Sequence, residues 1–160
     1  MIRRATPTDF QWIRDTAADV YRALGDYGTI IPSWLDHPGV LAFVDQGADA
    51  RVRRGFMLVG FYAPHGLTDW NDEACVADLL AIAVEPSHQR RGIGRALLDY
   101  ALDISRAASA NRPVPEIRLT VAEGNTAALA LFARAGFAVM DHDYGNYDGG
   151  QRAIRMRRPL

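Results

Sequence analysis

The segment at residues 89–96, with the sequence Q-R-R-G-I-G-R-A, has the composition of an anion-binding loop. Gly92 and Gly94 have no side chains, so backbone N–H groups can close on a ligand there. A helix is predicted to begin at these glycines and would direct the positive end of its dipole at the same ligand. Arginines at 90, 91 and 95 add charges that phosphate oxygens can pair with. This glycine loop (residues 89–94) therefore predicts a pyrophosphate site.

Glycines at this spacing also occur in loops of other kinds. Taken alone, two glycines also suit a surface loop that ends at a glycine-capped helix start. A dinucleotide-binding fold requires the spacing G-x-G-x-x-G after an early strand, whereas this strand comes late and the spacing differs. A Walker loop requires Gly-Lys, and the chain contains no lysine. A pyrophosphate held by a different kind of loop is the interpretation that the rest of the sequence supports.

Two motifs together resemble the GCN5-related N-acetyltransferase (GNAT) family. The glycine loop matches the family signature Q/R-x-x-G-x-G/A, and the run before it, residues 82–86, has the typical ending I-A-V-x-P. Downstream, residues 125–137 resemble the second signature, N-x-x-A-x-x-L-Y-x-x-x-G-F, with Phe132 at the tyrosine position. The resemblance is strong over residues 74–140 and looser elsewhere.

The resemblance implies that acetyl-CoA is the cofactor. Its pyrophosphate would lie on the N–H groups of the glycine loop, and its pantetheine arm would run along the edge of the central strand like an added strand. The family separates two parallel central strands, here residues 75–84 and 116–122, and the coenzyme enters that notch. The residues expected to contact the coenzyme are Ile82, Val84, Gln89, Arg90, Arg91, Gly92, Ile93, Gly94, Arg95, Asn125 and Phe132.

Attack of an amine on a thioester needs a base, a donor for the oxyanion and a proton source for the departing thiolate. Asp78 is the first candidate base, because it is the only charged side chain between Cys75 and Val84 and burial raises the pKa of a carboxyl group. Its position also matches the catalytic glutamate of some GNAT members. An ion pair with Arg118 on the next strand, or a hydrogen bond to the backbone, explains Asp78 equally well.

Three further residues are candidates for the chemistry. Glu123 is a second candidate base at the end of the next strand, or else a solvated loop carboxylate. Phe132 stands where the family's usual acid is a tyrosine, and a phenylalanine cannot donate a proton. Tyr144 and Tyr147 in the last hairpin could supply the missing hydroxyl, with Tyr144 the first choice, or could be half-buried loop aromatics. The oxyanion donor would be a backbone N–H near Ile82.

Hydrophobic periodicity predicts the elements that would position these residues. The run at 75–84 is apolar on both alternating faces, which indicates a central strand covered on both sides. Other strands are predicted at 2–5, 40–44, 56–62, 117–121, 137–144 and 152–158, and helices at 7–24, 92–108 and 125–135. Residues 26–39 are predicted to be a structured loop with one helical turn near 33–35, and residues 64–73 an exposed loop.

The resemblance implies a GNAT-type acyl-CoA N-acyltransferase fold. This is an α/β, or mixed α+β, fold in which a central mixed sheet of six to seven strands is flanked by helices. The length of 160 residues fits one such domain, 1–160.

Composition narrows the classes of function. A net charge of -1 provides no basic field for nucleic acid or membrane. The absence of lysine excludes a Schiff-base mechanism, and the four histidines show no metal-ligand spacing. The single cysteine, Cys75, cannot form an internal disulfide, so a cytoplasmic location is expected.

The sequence therefore predicts an acetyl-CoA-dependent N-acetyltransferase acting on a primary amine: a small molecule, a peptide N-terminus or a lysine side chain. Acceptor choice is expected to depend on the variable loops at 26–39, 64–73 and 142–150. The alternative is a CoA-binding sensor without catalysis, which Phe132 favours. A homodimer is expected from the family resemblance, and a bacterial source from the arginine-only, alanine-rich composition.

Overall fold

The computed structural model describes residues 1–63 and 74–160, so the loop predicted at 64–73 lies outside the described residues. Strands and helices are interspersed along the described chain. They are β1 (Ile2–Arg4), α1 (Pro7–Val20), α2 (Tyr27–Leu35), β2 (Val40–Gln46), β3 (Arg53–Tyr62), β4 (Val76–Val84), α3 (Ile93–Ala108), β5 (Glu116–Ala122), α4 (Thr126–Arg134), β6 (Ala138–Asp141) and β7 (Ala153–Pro159).

The strands form one mixed sheet in the order β1-β2-β3-β4-β5-β7-β6, which confirms the predicted architecture. Neighbouring strands are antiparallel except for β4 and β5, which are parallel. Pairing between β4 and β5 covers only residues 77–79 and 117–119. The carboxyl-terminal halves of both strands are therefore not paired with each other, and this unpaired region is called here the notch.

A β-bulge in β4 changes which side chains face each side of the sheet. Leu58 pairs with Ala81 while Val59 pairs with Leu79, so Leu80 is an extra residue. Before the bulge, Ala77 and Leu79 pack in the core that α3 and α4 cover. After it, Ala81 and residue 83 pack in the second core, under α1 and α2. One inserted residue shifts the alternation of side chains by one position and leaves β4 buried on both faces.

Three predicted segments differ from the structure. α1 ends at Val20, four residues before the predicted end, because the chain turns at Tyr21. The segment predicted as a loop with a single turn contains the nine-residue helix α2, which tolerates Pro32 in its interior. Asp26 starts α2 by accepting a hydrogen bond from the Thr29 N–H at 3.2 Å. The last hairpin also has a shorter first strand, β6, than predicted.

Candidate active site

The glycine loop joins β4 to α3 and is largely exposed. Gly92 caps α3 with a φ of 79°, a left-handed conformation that favours glycine. A Cβ at Gly92 would meet nothing within 4 Å, and one at Gly94 would only touch Val84 at 3.7 Å and Leu131 at 3.8 Å. Packing within the protein does not fill the space in front of these glycines. The backbone of the loop is therefore open to a ligand, and the pyrophosphate site stays a prediction.

The charged residues of the loop differ in their surroundings. Arg90 has a left-handed φ of 64°, and both Arg90 and Arg91 are exposed. Arg95 is also exposed, but its Nε donates to both carboxylate oxygens of Asp99 at 2.9 and 3.0 Å. Gln89 donates from Nε2 to the Val84 carbonyl at 3.1 Å and so ties the loop to the end of β4.

A cleft opens where β4 and β5 diverge. Its walls are the facing ends of the two strands, one side of α4 and side chains from the segment after α1: Tyr21, Leu24, Tyr27, Leu79, Leu80, Ala81, Ile82, Leu119, Thr120, Val121, Ala122, Asn125, Ala128, Phe132 and Tyr147. Three residues predicted to contact the coenzyme, Ile82, Asn125 and Phe132, are among them. This cleft is called here the strand cleft.

α4 fixes two of these side chains. Asn125 is the N-cap of α4, and its Oδ1 accepts a hydrogen bond from the Ala128 N–H at 3.2 Å. Phe132 is buried and contacts Phe137 edge-on, with ring centroids 6.0 Å apart. Phe132 is thus both part of the core and part of the wall of the strand cleft.

A second pocket, called here the aromatic pocket, adjoins the strand cleft. It is lined by three aromatic side chains, by a buried ion pair and by residues of β4 and β5 at the start of the notch. These residues are Tyr27, Trp34, Asp78, Leu79, Leu80, Thr120, Tyr147 and Arg155. Five of these residues also line the strand cleft: Tyr27, Leu79, Leu80, Thr120 and Tyr147. The two spaces therefore meet beside the bulge in β4.

Asp78 lies on the wall of the aromatic pocket in a buried ion pair. Arg155 donates from Nη1 to Oδ1 at 3.1 Å and from Nη2 to Oδ2 at 2.8 Å, and the Tyr62 hydroxyl donates to Oδ2 at 3.1 Å. Arg118, the partner considered from the sequence, is the wrong one, because its guanidinium pairs with Glu116. Burial lowers the pKa of Arg155, but the hydrogen bonds and charge of Asp78 outweigh it and leave the pKa raised.

The other two predicted catalytic residues, Glu123 and Tyr144, do not line the aromatic pocket. Glu123 follows β5, is exposed, and has a carboxylate oxygen 3.8 Å from Arg152 Nε. The exposed Tyr144 ring stacks on the Arg155 guanidinium at 5.2 Å. Tyr147 lines both spaces, and burial raises its pKa to about 12. Of the two tyrosines, Tyr147 lines the strand cleft and the aromatic pocket, whereas Tyr144 lines neither. The role of Tyr144 as an acid stays a prediction.

Sequence reasoning missed Tyr21 and Arg155. The Tyr21 hydroxyl donates to the Ile82 carbonyl at 2.5 Å and accepts from the Ile82 N–H at 3.0 Å. A signal existed for each residue. Tyr21 falls four residues after Ala17 on the apolar stripe of α1, and Arg155 interrupts the apolar run between Ile154 and Met156.

The described residues show neither a metal centre nor a membrane span. Within residues 1–63 and 74–160, no group of three or more His, Cys, Asp or Glu side chains could hold a metal ion. No helix in that part of the chain has the length and apolar character needed to cross a bilayer.

Comparison with known proteins gives consistent matches. The model of the acetyltransferase (GNAT) family matches residues 9–137. [Ribosomal protein bS18]-alanine N-acetyltransferase of Escherichia coli strain K12 is 38% identical over 87 residues, which are 52% of this chain and 56% of that protein. Streptothricin acetyltransferase of Streptomyces lavendulae is 33% identical over 121 residues, 73% of this chain and 57% of that protein. The chain thus spans little more than half the length of these curated relatives.

Solved structures share the fold. NAA60 of Arabidopsis thaliana in complex with a bisubstrate analogue superposes with a TM-score of 0.80 at 15% identity, covering 100% of this chain and 98% of that one. Ribosomal-protein-alanine N-acetyltransferase from Brucella melitensis gives 0.74 at 20% identity, covering 100% and 99%. At such identities the likeness shows the fold alone.

Proposed function

Because the chain belongs to the acetyltransferase (GNAT) family, we propose that it is an acetyl-CoA-dependent N-acetyltransferase that acetylates a primary amine. One observation carries the proposal: the glycine loop, the strand cleft and the aromatic pocket follow one another along β4. The loop follows Val84, the cleft lies at residues 79–82, and the pocket begins at Asp78. A long cofactor bound by its phosphates at the loop would extend toward the aromatic pocket.

The glycine loop and β4 would hold the cofactor. N–H groups at the start of α3, with Arg90 and Arg91, suit the pyrophosphate. Backbone groups of β4 that face the notch suit the amides of the pantetheine arm, because a strand edge binds an extended ligand as it binds another strand. Acetyl-CoA supplies the activated acyl group as its thioester.

Transfer requires the amine to attack the thioester carbonyl. The C–N bond forms as the amine loses a proton, and the C–S bond breaks as the coenzyme thiol leaves. A backbone N–H of β4 near Ile82 would donate to the oxyanion, and the bulge at Leu80 turns the backbone beside it. Since Phe132 has no proton to give, Tyr147 on the wall of both spaces is proposed as the group that protonates the departing thiolate.

Asp78 is proposed as the residue that draws the amine into the pocket and accepts its proton. Its carboxylate is the acidic side chain on the pocket wall, and its pairing with Arg155 fixes its position. Glu123 remains the second candidate base, because its exposed carboxylate can pass the proton of the amine on to solvent directly.

The proposal extends to the chemical class of the acceptor amine. The related proteins are named for a ribosomal protein alanine and for streptothricin, so a peptide N-terminus and a small amine are both supported. A cytoplasmic location in a bacterium is proposed because the chain has one cysteine and its named relatives are bacterial. A homodimer is proposed on the family resemblance alone.

A CoA sensor without catalysis is the second candidate function. Two observations favour it: phenylalanine at position 132, and a first-choice base held in an ion pair. Such a protein would bind acetyl-CoA but release no thiol with any amine.

Thermal unfolding with and without acetyl-CoA, followed by thiol release with a panel of amines and peptides, tests these functions. Acetyl-CoA at 100 times its dissociation constant should add about 2.7 kcal/mol of stability. Stabilisation with thiol release on some amine would establish the enzyme and its acceptor class. Stabilisation without release would favour the sensor. A lack of stabilisation would contradict both.

A further inference from the structure

The Tyr21 hydroxyl is placed on the edge of β4 that faces the notch. It makes two hydrogen bonds to one residue, donating to the Ile82 carbonyl at 2.5 Å and accepting from the Ile82 N–H at 3.0 Å. Both partners are backbone groups, so Tyr21 meets β4 as the peptide group of a neighbouring strand would. These groups lie on the wall of the strand cleft.

The direction of the Ile82 backbone groups follows from the pairing of β4. The Glu85 N–H donates to the Arg54 carbonyl at 2.8 Å and so points toward β3. Backbone groups alternate sides along a strand, so those of Ile82 and Val84 point the other way, toward β5. Gln89 already donates to the Val84 carbonyl from that side. Because pairing with β5 ends at Leu79, Ile82 meets Tyr21 where a strand would otherwise lie.

We propose that the Tyr21 hydroxyl is a placeholder for an amide of acetyl-CoA, which displaces it from Ile82 on binding. The inference rests on the proposed function, since it concerns the same cleft. A phenol O–H is a donor and an acceptor, so it satisfies both Ile82 groups while the cleft holds no ligand. An amide of the pantetheine arm offers the same pair and would replace it. Tyr21 thus keeps two edge groups from being buried without partners.

Displacement of Tyr21 would also change the aromatic pocket. Its ring contacts the Tyr27 ring with centroids 4.6 Å apart, and Tyr27 in turn contacts Trp34 at 6.2 Å. Tyr27 and Trp34 both line the aromatic pocket. Cofactor binding would therefore reshape the acceptor site.

Replacing Tyr21 with Phe tests the placeholder directly. The ring that packs on Tyr27 is kept, but the competitor for Ile82 is lost. The variant loses both hydrogen bonds to Ile82, and each is worth about 0.5–1.5 kcal/mol net, so coenzyme A should bind at least about twofold more tightly by calorimetry. Tyr100→Phe is the matched control, because Tyr100 packs edge-on to Phe43 outside the site and its variant should keep the wild-type affinity.

Amide hydrogen exchange at Ile82 provides a second readout. Without ligand, the Tyr21→Phe protein should exchange this amide faster than wild type, and coenzyme A should protect it in both. Equal or weaker coenzyme A affinity in the variant would overturn the placeholder, and so would unchanged exchange. If the wild-type protein itself fails to bind coenzyme A, the proposed function falls, and the inference falls with it.

Discussion

The residues of the site differ in whether the fold itself, apart from any ligand, requires them. Gly92 adopts a left-handed φ, which gives its identity a reason within the fold. Gly94 lies in α3 with room for a Cβ, so the fold does not require glycine there. Asp78 is needed by the fold as well, because a buried guanidinium depends on it.

Gly94→Glu should abolish coenzyme A binding without unfolding the protein. Its side chain would enter the space before the helix with a negative charge, where a pyrophosphate would lie, whereas its Cβ would make only ordinary contacts. Calorimetry with coenzyme A measures the loss. Gly47→Ala, in the turn after β2 with ordinary contacts to Val52, should bind as wild type does. Unchanged affinity in Gly94→Glu would show that the loop is not the phosphate site.

Asp78→Asn should lower both turnover and stability while changing acetyl-CoA affinity little. The amide cannot take the proton of the amine, and it leaves the buried Arg155 charge unpaired, which costs about 3 kcal/mol. Denaturant unfolding and steady-state kinetics measure the two effects. Asp78→Asn combined with Arg155→Gln should recover part of the stability but none of the turnover. Full turnover in the single variant would make Asp78 structural and Glu123 the base.

At the scale of elements, the site depends on two connections that meet over the notch. The segment after α1 and the loop between β6 and β7 are joined by hydrogen bonds from the Gly149 N–H to the Leu24 carbonyl at 3.0 Å and from Gln151 Nε2 to the Ala23 carbonyl at 2.8 Å. The first segment carries Tyr21, and the second carries Tyr147. Their contact brings both hydroxyl groups to the wall of the strand cleft.

Gly149→Ala should weaken acceptor binding more than cofactor binding. A Cβ at Gly149 would collide with the Ala23 carbonyl, so the two segments must separate and Tyr147 must shift. Overpacking of this kind costs about 1–3 kcal/mol of stability. We expect KM for the amine to rise severalfold in steady-state kinetics, while Asp143→Ala, an exposed change in the same loop, leaves KM unaltered. An unchanged KM in Gly149→Ala would mean that this contact does not shape the acceptor site.

At the scale of the whole molecule, the buried carboxylate of Asp9 joins three elements, α1, β1 and β3. Asp9 in α1 accepts from Arg3 of β1 at 2.7 and 3.0 Å and from Arg53 of β3 at 2.6 Å. The hydrogen bonds from Arg3 hold the pKa of Asp9 far below its usual range, against the effect of burial. This cluster fixes α1 against the sheet, and α1 carries the chain to Tyr21.

The Asp9 cluster predicts acid sensitivity of folding. A carboxyl group whose pKa is lowered in the folded state contributes its full stability at pH values above its unfolded-state pKa, which is about 3.9 for Asp. It loses that stability as the pH falls toward the folded-state pKa. The free energy of unfolding, measured with urea, should therefore decrease as the pH falls below about 4. Asp9→Asn should cost about 3 kcal/mol at neutral pH and show a shallower acid dependence, since its side chain does not titrate. An identical acid dependence in both proteins would contradict the assignment.

The sequence by itself determined the features that depend on near neighbours. The start of α1 at Pro7, the start of α3 after the glycine loop, the start of α4 to within one residue and the central apolar strand were all predicted, because capping, turn conformation and side-chain alternation are set within a few residues. Where a distant contact ended or began an element, prediction was wrong: α1 ends where Tyr21 turns toward β4, and α2 forms in a segment rich in glycine and proline.

Only the tertiary structure decided the partners in the site. Asp78 pairs with Arg155, 77 residues away, rather than with Arg118 on the adjacent strand. Tyr21 reaches Ile82 across 61 residues. Both contacts follow from the order of the sheet and from the helix packed over it, which bring together segments distant in the chain. Spacing along a sequence cannot specify such neighbours, because the free energy that selects them comes from burying the whole core at once.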